Sequence, residues 1–286
     1  MRKPFDLDAA RGMLIGLAVG DAVGTTVEFS PRGTFETVTD MVGGGPFGLA
    51  AGQWTDDTSM ALCLAESLLD RGGWDAADCM RRFVNWRDHG YNSVTGVCFD
   101  IGLQTSAALD RFLHSGDPYA GPKAEAQSGN GGIMRLAPVV IAYAADAMLA
   151  RDHAMAQSRT THGSESCLNA ATEMSDMLLA GDKASWPKPT EPPTEASGYV
   201  VHSMQAALWA LGVSTDFESA VLAAVNLGGD ADTVGAITGQ LAGRIYGYGG
   251  IPAAWRDRLA WHDHILAKAD MLWQLTPDVP KGDTNG

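Results

Sequence analysis

The sequence GMLIGLAVGDAVG, residues 12–24, has a glycine at every fourth position. The stretch GAITGQLAGRIYG, residues 235–247, repeats that spacing. An interior glycine costs a helix about 1 kcal/mol relative to alanine, so two such stripes need a compensating reason. Because residues four apart share one helix face, the stripes predict two central helices that approach a neighbour closely. Whether they pack on each other stays open.

Helical periodicity dominates the rest of the chain, without a succession of alternating strands. We therefore expect a compact, all-α helical bundle with helices at 7–20, 57–70, 75–86, 100–114, 133–149, 154–160, 164–179, 199–211, 216–226, 233–246 and 253–275. The proline-rich range 182–197 is predicted to be an exposed loop, and residues 276–286 a disordered tail. Because candidate metal ligands lie on both sides of the loop, residues 1–275 are predicted to form a single domain.

The charge balance limits the classes of partner. The formal net charge is -14, which disfavours non-specific binding to nucleic acid and to anionic membranes. No apolar run reaches membrane-spanning length, since Asp21 interrupts the longest one, and the N-terminus lacks a signal-peptide core. The four cysteines show no paired ligand spacing, and Cys63 and Cys167 are expected to be reduced and buried. A cytoplasmic protein is expected.

Two short acidic clusters lie far apart in the sequence. They are Thr55-Asp56-Asp57-Thr58 and Asp230-Ala231-Asp232-Thr233, and each stands where a turn-rich segment gives way to a helical pattern. Each cluster alone is typical of ordinary helix N-caps. Two clusters of the same kind, each with two carboxylates and flanking hydroxyls, favour a site for two hard divalent cations, which prefer oxygen ligands. Such ions would also offset the repulsion between an acidic protein and phosphates.

The glycine-rich run SGNGG, residues 128–132, precedes a helical pattern. Its backbone N–H groups could hold phosphate oxygens, although a turn or a helix cap would have the same sequence. Arg135 nearby is either a diphosphate partner or a structural ion pair. Trp54, next to the first acidic cluster, is either a packed core residue or a substrate contact.

Five motifs occur in order along the chain, at residues 12–29, 51–58, 129–135, 161–163 and 225–236. Together they resemble the ADP-ribosylglycohydrolase family. The length and the run Val27-Glu28-Phe29 are typical of the compact bacterial dinitrogenase-reductase-activating type. The resemblance implies an all-α, roughly orthogonal bundle with a binuclear Mg²⁺ or Mn²⁺ centre in a cleft.

The resemblance also implies roles for individual residues. The matching metal ligands are Thr55, Asp56, Asp57, Asp230, Asp232 and Thr233. Glu28, together with Asp56 and Asp57, is expected to take part in catalysis, as a general base or as a gate over the metals. The residues expected to bind ADP-ribose are Glu28, Ser128, Gly129, Asn130, Gly131, Gly132, His162, Gly228 and Gly229.

The implied reaction is metal-dependent hydrolysis of the bond between the distal ribose of ADP-ribose and its acceptor. An arginine N-glycoside on a modified protein is the favoured substrate. Alternatives are O-linked ADP-ribose on serine, modified nucleic acid, a small-molecule acceptor and a catalytically silent ADP-ribose-binding module. Carboxylate clusters alone would also permit a two-metal phosphohydrolase.

Overall fold

A computed structural model describes residues 3–275, which contain two isolated β-bridges and no longer strand. The all-α prediction is therefore confirmed, while the predicted tail at 276–286 lies outside the described residues. Twelve α-helices occur in the described part: α1 Leu7–Gly24, α2 Asp56–Arg71, α3 Ala76–His89, α4 Leu103–Ser115, α5 Ala137–Ala142, α6 Ala147–Thr161, α7 Glu165–Ala180, α8 Val200–Val213, α9 Phe217–Val225, α10 Ala231–Tyr246, α11 Ala253–Arg258 and α12 His262–Gln274.

Five of the described α-helices begin with a side-chain N-cap. An N-cap side chain accepts a hydrogen bond from the first helical turn at Asp6, Asp75, Asp146, Ser164 and Asp216. The N-caps of α2 and α10 are Thr55 and Asp230, and neither side chain accepts such a bond. These two side chains, both in the acidic clusters, are thus available for other contacts.

The two glycine-striped helices, α1 and α10, pack on each other. A methyl group added to Gly16 would overlap the carbonyl oxygen of Gly239, and one on Gly239 would overlap that of Gly16. Gly12 faces Gly243 at one end of the contact and Gly24 faces Ala231 at the other, so the helices are antiparallel. Both helices are buried along most of their length, which confirms their predicted central position.

Two predicted helices are interrupted. Residues 133–149 do not form one helix, because residues 131–135 form turns, α5 ends at Ala142 and α6 begins only at Ala147. Residues 253–275 are divided into α11 and α12 at Trp261, whose φ of 58° is left-handed. Buried apolar residues lie on both sides of each interruption, Tyr143 and Ala150 around the first and Leu259 and Ile265 around the second. The apolar pattern therefore does not reveal the breaks.

Trp54 belongs to the core. It is fully buried, its ring lies 5.3 Å from that of Trp261, and its indole N–H donates to the carbonyl oxygen of Ala260 at 3.3 Å. The packed-residue alternative is the correct one. Cys63 and Cys167 are unpaired and buried, as predicted.

The predicted loop at 182–197 contains one 3-10 turn and is largely exposed. One hydrophobic cluster includes side chains from α1 through α12, on both sides of this loop. The assignment of residues 1–275 to a single domain stays a prediction. No helix within residues 3–275 combines the length and the apolar character needed to cross a membrane.

Candidate metal and ADP-ribose site

The α1–α10 contact brings three acidic segments together. Because the helices are antiparallel, the C-terminal end of α1 lies beside the N-terminal end of α10. Asp21, on the last turns of α1, also holds the start of α2: its carboxylate accepts hydrogen bonds from the backbone N–H of Thr55 at 2.8 Å and of Thr58 at 3.0 Å. Asp21 therefore supplies the cap that the Thr55 side chain does not provide, and both acidic clusters meet at one place.

Three groups of carboxylates at this place could each hold a cation. Within each group the ligand oxygens lie within 4.8 Å of one another, and the groups are Asp21–Asp57–Asp232, Glu28–Asp230–Asp232 and Asp56–Asp100–Asp232. Asp232, on the first turn of α10, belongs to all three. The predicted ligands from the two clusters are thus brought together, with Asp232 at their centre.

Hydroxyl and amide groups complete this polar cluster. The Thr55 hydroxyl lies 3.2 Å from an Asp57 oxygen and 3.1 Å from an Asp232 oxygen. The Thr233 hydroxyl donates to Asp57 at 3.4 Å, and the Asn130 amide donates to Asp230 at 2.6 Å.

Several carboxylate oxygens of the cluster have no protein partner. In the described part of the chain, one buried oxygen of Glu28, one of Asp57 and one of Asp232 accept no hydrogen bond. A buried, unpartnered carboxylate oxygen costs free energy. An oxygen-rich set with free lone pairs fits a hard divalent cation, so the residues present suit the metal that the sequence predicts.

The electrostatics of the cluster lead to the same inference. Burial, followed by repulsion from neighbouring carboxylates, raises the pKa of Glu28 to about 10. Burial likewise raises the pKa of Asp100 to about 7 and that of Asp21 to about 6, and raises those of Asp57 and Asp232 well above the ordinary value. Gathering so many carboxylates without cations is therefore unfavourable at neutral pH.

The stability of the metal-free protein is expected to fall as pH rises from 5 to 8. The folded-state pKa values of Glu28 and Asp100 lie above the unfolded values of about 4, so the folded state binds more protons in this window and the free energy of unfolding decreases with pH. Melting temperatures measured with a chelator should decline across this range, and Asp100→Asn should flatten the decline. A chelated wild-type protein that becomes more stable from pH 5 to 8 would contradict this account.

A cleft of about 880 Å³ opens beside the carboxylates, a volume suited to a nucleotide-sized ligand. The predicted residues that line it are Glu28, Asp56, Gly129, Asn130, Gly131, His162, Gly229, Asp230, Asp232 and Thr233. The predicted residues outside its lining are Thr55, Asp57, Ser128, Gly132 and Gly228. Thr55 and Asp57 are fully buried in the carboxylate cluster.

The glycine-rich run at 128–132 leads into turns, not directly into a helix as predicted. It packs against His162, whose ring would be overlapped by a side chain on Gly131. The Ser128 hydroxyl is 2.8 Å from that of Ser164, and a side chain on Gly132 would overlap Ser158, so both positions support the loop from behind. Burial lowers the pKa of His162 to about 3, which keeps the imidazole neutral.

Glu28 is positioned by a backbone contact with the loop before α10. The N–H of Phe29 donates to the carbonyl oxygen of Gly229 at 2.7 Å, and the N–H of Gly229 donates to that of Ser30 at 2.9 Å. Gly229 has a φ of 67°, and an added Cβ there would overlap the backbone of Ala196. Only glycine suits this position, which explains its place directly before Asp230.

Arg135 fits neither role suggested by the sequence. Its guanidinium is completely buried, donates to the Thr161 hydroxyl at 2.7 Å and to the Gln157 side chain at 3.2 Å, and lies over the ring of Phe83. Within residues 3–275 it forms no ion pair with a carboxylate closer than 4.0 Å, and it does not line the cleft. It is a buried structural cation held by neutral groups.

Sequence reasoning missed two carboxylates of the cluster. Asp21 appeared only as the residue that interrupts an apolar run, although a charge on a central helix is itself a signal of function or pairing. The sequence predicts a helix that begins at Asp100, but α4 begins at Leu103 and Asp100 has a left-handed φ of 58°. No spacing in the sequence links Asp100 to the acidic clusters.

Comparisons with known proteins agree with this fold. The model of the ADP-ribosylglycohydrolase family matches residues 2–180 and 174–281. The chain is 42% identical to the ADP-ribosylarginine hydrolase Tri1 of Pseudomonas putida, over 97% of this chain and 81% of that protein. It is 34% identical to the ADP-ribosyl-[dinitrogen reductase] glycohydrolase of Rhodospirillum rubrum, over 91% of this chain and 92% of that protein.

A solved structure described as an ADP-ribosylglycohydrolase-related protein complex superimposes with a TM-score of 0.81 at 42% identity, and the match covers 94% of this chain and 98% of that one. The fold and site define an all-helical protein with a carboxylate-rich cleft. The chain belongs to the ADP-ribosylglycohydrolase family. The family and fold that the sequence motifs predicted are both confirmed.

Proposed function

We propose that this chain is a metal-dependent hydrolase that releases ADP-ribose from modified arginine side chains of proteins. One observation carries the proposal: seven carboxylates gather beside a cleft of about 880 Å³ in a chain closely similar to ADP-ribosylarginine hydrolases. Glycosyl hydrolysis needs stabilisation of positive charge on the ribose, and a bound diphosphate needs cations and backbone donors. The cleft offers groups for both tasks.

The proposed cofactor is a pair of divalent ions, Mg²⁺ or Mn²⁺. The residues proposed to hold them are Thr55, Asp56, Asp57, Asp230, Asp232 and Thr233. When bound, such ions orient ribose hydroxyls and lower the pKa of water. The unpartnered oxygens of Asp57 and Asp232 support this assignment, because each needs a partner that the protein does not supply.

The remaining catalytic roles are proposed for side chains of the protein itself. Hydrolysis breaks the bond between the ribose carbon and the guanidine nitrogen, attaches a water oxygen to that carbon and returns a proton to the departing nitrogen. Glu28 lines the cleft and is proposed to accept a proton from the water or to gate the substrate. Asp56 lies in the lining and Asp57 behind it, and both are proposed to maintain the reacting geometry.

ADP-ribose is proposed to bind along the glycine loops. Gly129, Asn130, Gly131, His162 and Gly229 line the cleft and are proposed to contact the ligand. Ser128, Gly132 and Gly228 are proposed to shape these loops from behind. The neutral imidazole of His162 can donate or accept a hydrogen bond without adding charge.

The first experiment is incubation of the purified protein with an arginine-ADP-ribosylated protein in Mg²⁺, in Mn²⁺ and in chelator, with released ADP-ribose quantified. Metal-dependent release that is lost in Asp56→Ala is the expected result. A serine-linked substrate and an ADP-ribosylated nucleic acid serve as parallel acceptors.

The other outcomes separate the alternatives. Release only from serine or nucleic acid would change the acceptor. AMP or phosphate as product would indicate a phosphohydrolase, and tight ADP-ribose binding without turnover would indicate a silent binding module. An ADP-ribosylated protein in the cytoplasm is the proposed physiological partner.

A further inference from the structure

Three phenylalanine rings form an aromatic cluster beside the carboxylates. Phe29 lines the cleft and is 64% exposed. Its ring centroid lies 6.4 Å from that of Phe47 in an edge-on arrangement, and the Phe47 centroid lies 5.1 Å from that of Phe99. The rings come from three separate segments of the chain, so the tertiary structure assembles them. Phe47 and Phe99 are half-buried, so Phe29 is the ring of the cluster that is exposed at the cleft.

The aromatic cluster is joined directly to two of the acidic residues. Phe29 follows Glu28 in the sequence and Phe99 precedes Asp100, and both carboxylates line the cleft. Phe47, from the loop between α1 and α2, contacts both rings and so connects the two chain segments.

The backbone at both segments is held in an uncommon conformation. Phe29 has a φ of 60° and Asp100 a φ of 58°, in the left-handed region that costs a side-chain-bearing residue about 1–2 kcal/mol. The hydrogen bond from the Phe29 N–H to Gly229 maintains this conformation. With this backbone conformation, the ring of Phe29 is exposed at the cleft while the side chain of the preceding Glu28 is buried. Such unfavourable backbone conformations are concentrated at functional sites.

The charge around the rings favours a cationic occupant. The cleft lining is acidic even without the proposed metal ligands Asp56, Asp230 and Asp232. Glu28, Asp100 and Glu195 also line it, and Arg32 is the one lysine or arginine in the lining. Arg32 donates to the carbonyl oxygens of Leu227 and Pro193. None of the cation–π contacts in residues 3–275 involves Phe29, Phe47 or Phe99.

We propose that Phe29, with Phe47 and Phe99 behind it, binds the guanidinium group of the acceptor arginine and thereby selects arginine-linked substrates. A guanidinium is planar and weakly hydrated, so it can stack on an aromatic face while its N–H groups point towards carboxylates. Serine offers neither a plane nor a charge. The inference rests on the proposed function, because the acceptor must lie next to the carboxylates where the glycosidic bond breaks.

The test compares Phe29→Leu and Phe29→Trp with the wild type. Phe29→Leu keeps an apolar side chain but removes the aromatic face, and kcat/KM on an arginine-ADP-ribosylated protein should fall about tenfold, the size expected for a partly desolvated cation–π contact. Phe29→Trp should restore it. The Kd for free ADP-ribose, measured by calorimetry, should change less than twofold in both. Leu113→Ala, an exposed apolar truncation on α4, is the control and should leave kcat/KM unchanged.

The outcomes distinguish the two proposals. If the wild type releases ADP-ribose from arginine and Phe29→Leu is equally active, the aromatic cluster does not hold the acceptor although the proposed function stands. A parallel loss of ADP-ribose affinity and kcat/KM would place Phe29 against the ADP-ribose and would also overturn the inference. Wild-type activity confined to serine-linked substrate would overturn both proposals together.

Discussion

Asp232→Asn is expected to abolish metal-dependent turnover and, at the same time, to raise the melting temperature of the metal-free protein. Asp232 belongs to all three carboxylate groups, so its loss weakens every candidate cation site. In metalloproteins, mutation of a residue that only hydrogen-bonds to a metal ligand typically lowers metal affinity or activity about 10- to 100-fold. Loss of a ligand shared by all three groups should therefore lower kcat/KM by more than about 100-fold. The same change removes one buried negative charge from a repulsive cluster, which stabilises the fold without metal.

Two measurements check this prediction. Released ADP-ribose reports turnover, and thermal denaturation with chelator or with Mn²⁺ reports stability. The wild type should gain stability on metal addition, whereas Asp232→Asn should gain little. Asp257→Asn removes the same charge from an exposed position on α11 and should leave both readings unchanged. A variant that retains turnover and the metal-induced gain in stability would remove Asp232 from the site.

Gly239→Ala is expected to lower the free energy of unfolding by about 3 kcal/mol or more. The added methyl group would overlap the backbone carbonyl oxygen of Gly16. The methyl group is attached directly to the backbone of α10 and the oxygen belongs to that of α1, so neither can move aside without moving a central helix. Overpacking a well-packed core typically costs about 1–3 kcal/mol, and an overlap with a backbone atom that cannot rotate away lies at or above that range. Separation of α1 from α10 would also displace Asp21 and Asp232, so metal binding should weaken too.

A glycine-to-alanine substitution on another helix provides the control for Gly239→Ala. Gly212 is exposed on α8, and an added Cβ there would meet nothing within 4 Å. Gly212→Ala should therefore gain up to about 1 kcal/mol, because alanine has the higher helix propensity. Chemical denaturation of both variants gives the two values directly. Equal and small effects at the two positions would show that the stripe does not set the distance between the helices.

Predictions from the sequence succeeded where the cause was local. Apolar periodicity located most helices, and the acidic clusters were placed correctly at the starts of α2 and α10. Periodicity failed at Trp261 and between α5 and α6, where the chain turns without a change in its apolar pattern. The roles of the individual site residues remain predictions, which the variants above address.

The family, the helical class and the two acidic clusters could be predicted from the amino-acid sequence alone, because motifs, periodicity and helix starts depend on residues that are close together in the chain. Three contacts were evident only in the three-dimensional structure: α1 packs on α10, Asp21 and Asp100 join the acidic clusters, and Phe47 and Phe99 pack behind Phe29 beside the cleft. These contacts join residues distant in sequence. The contact between α1 and α10 places Asp21 near the start of α10, because close packing of the two glycine stripes brings the end of one helix beside the start of the other, and no local pattern encodes this.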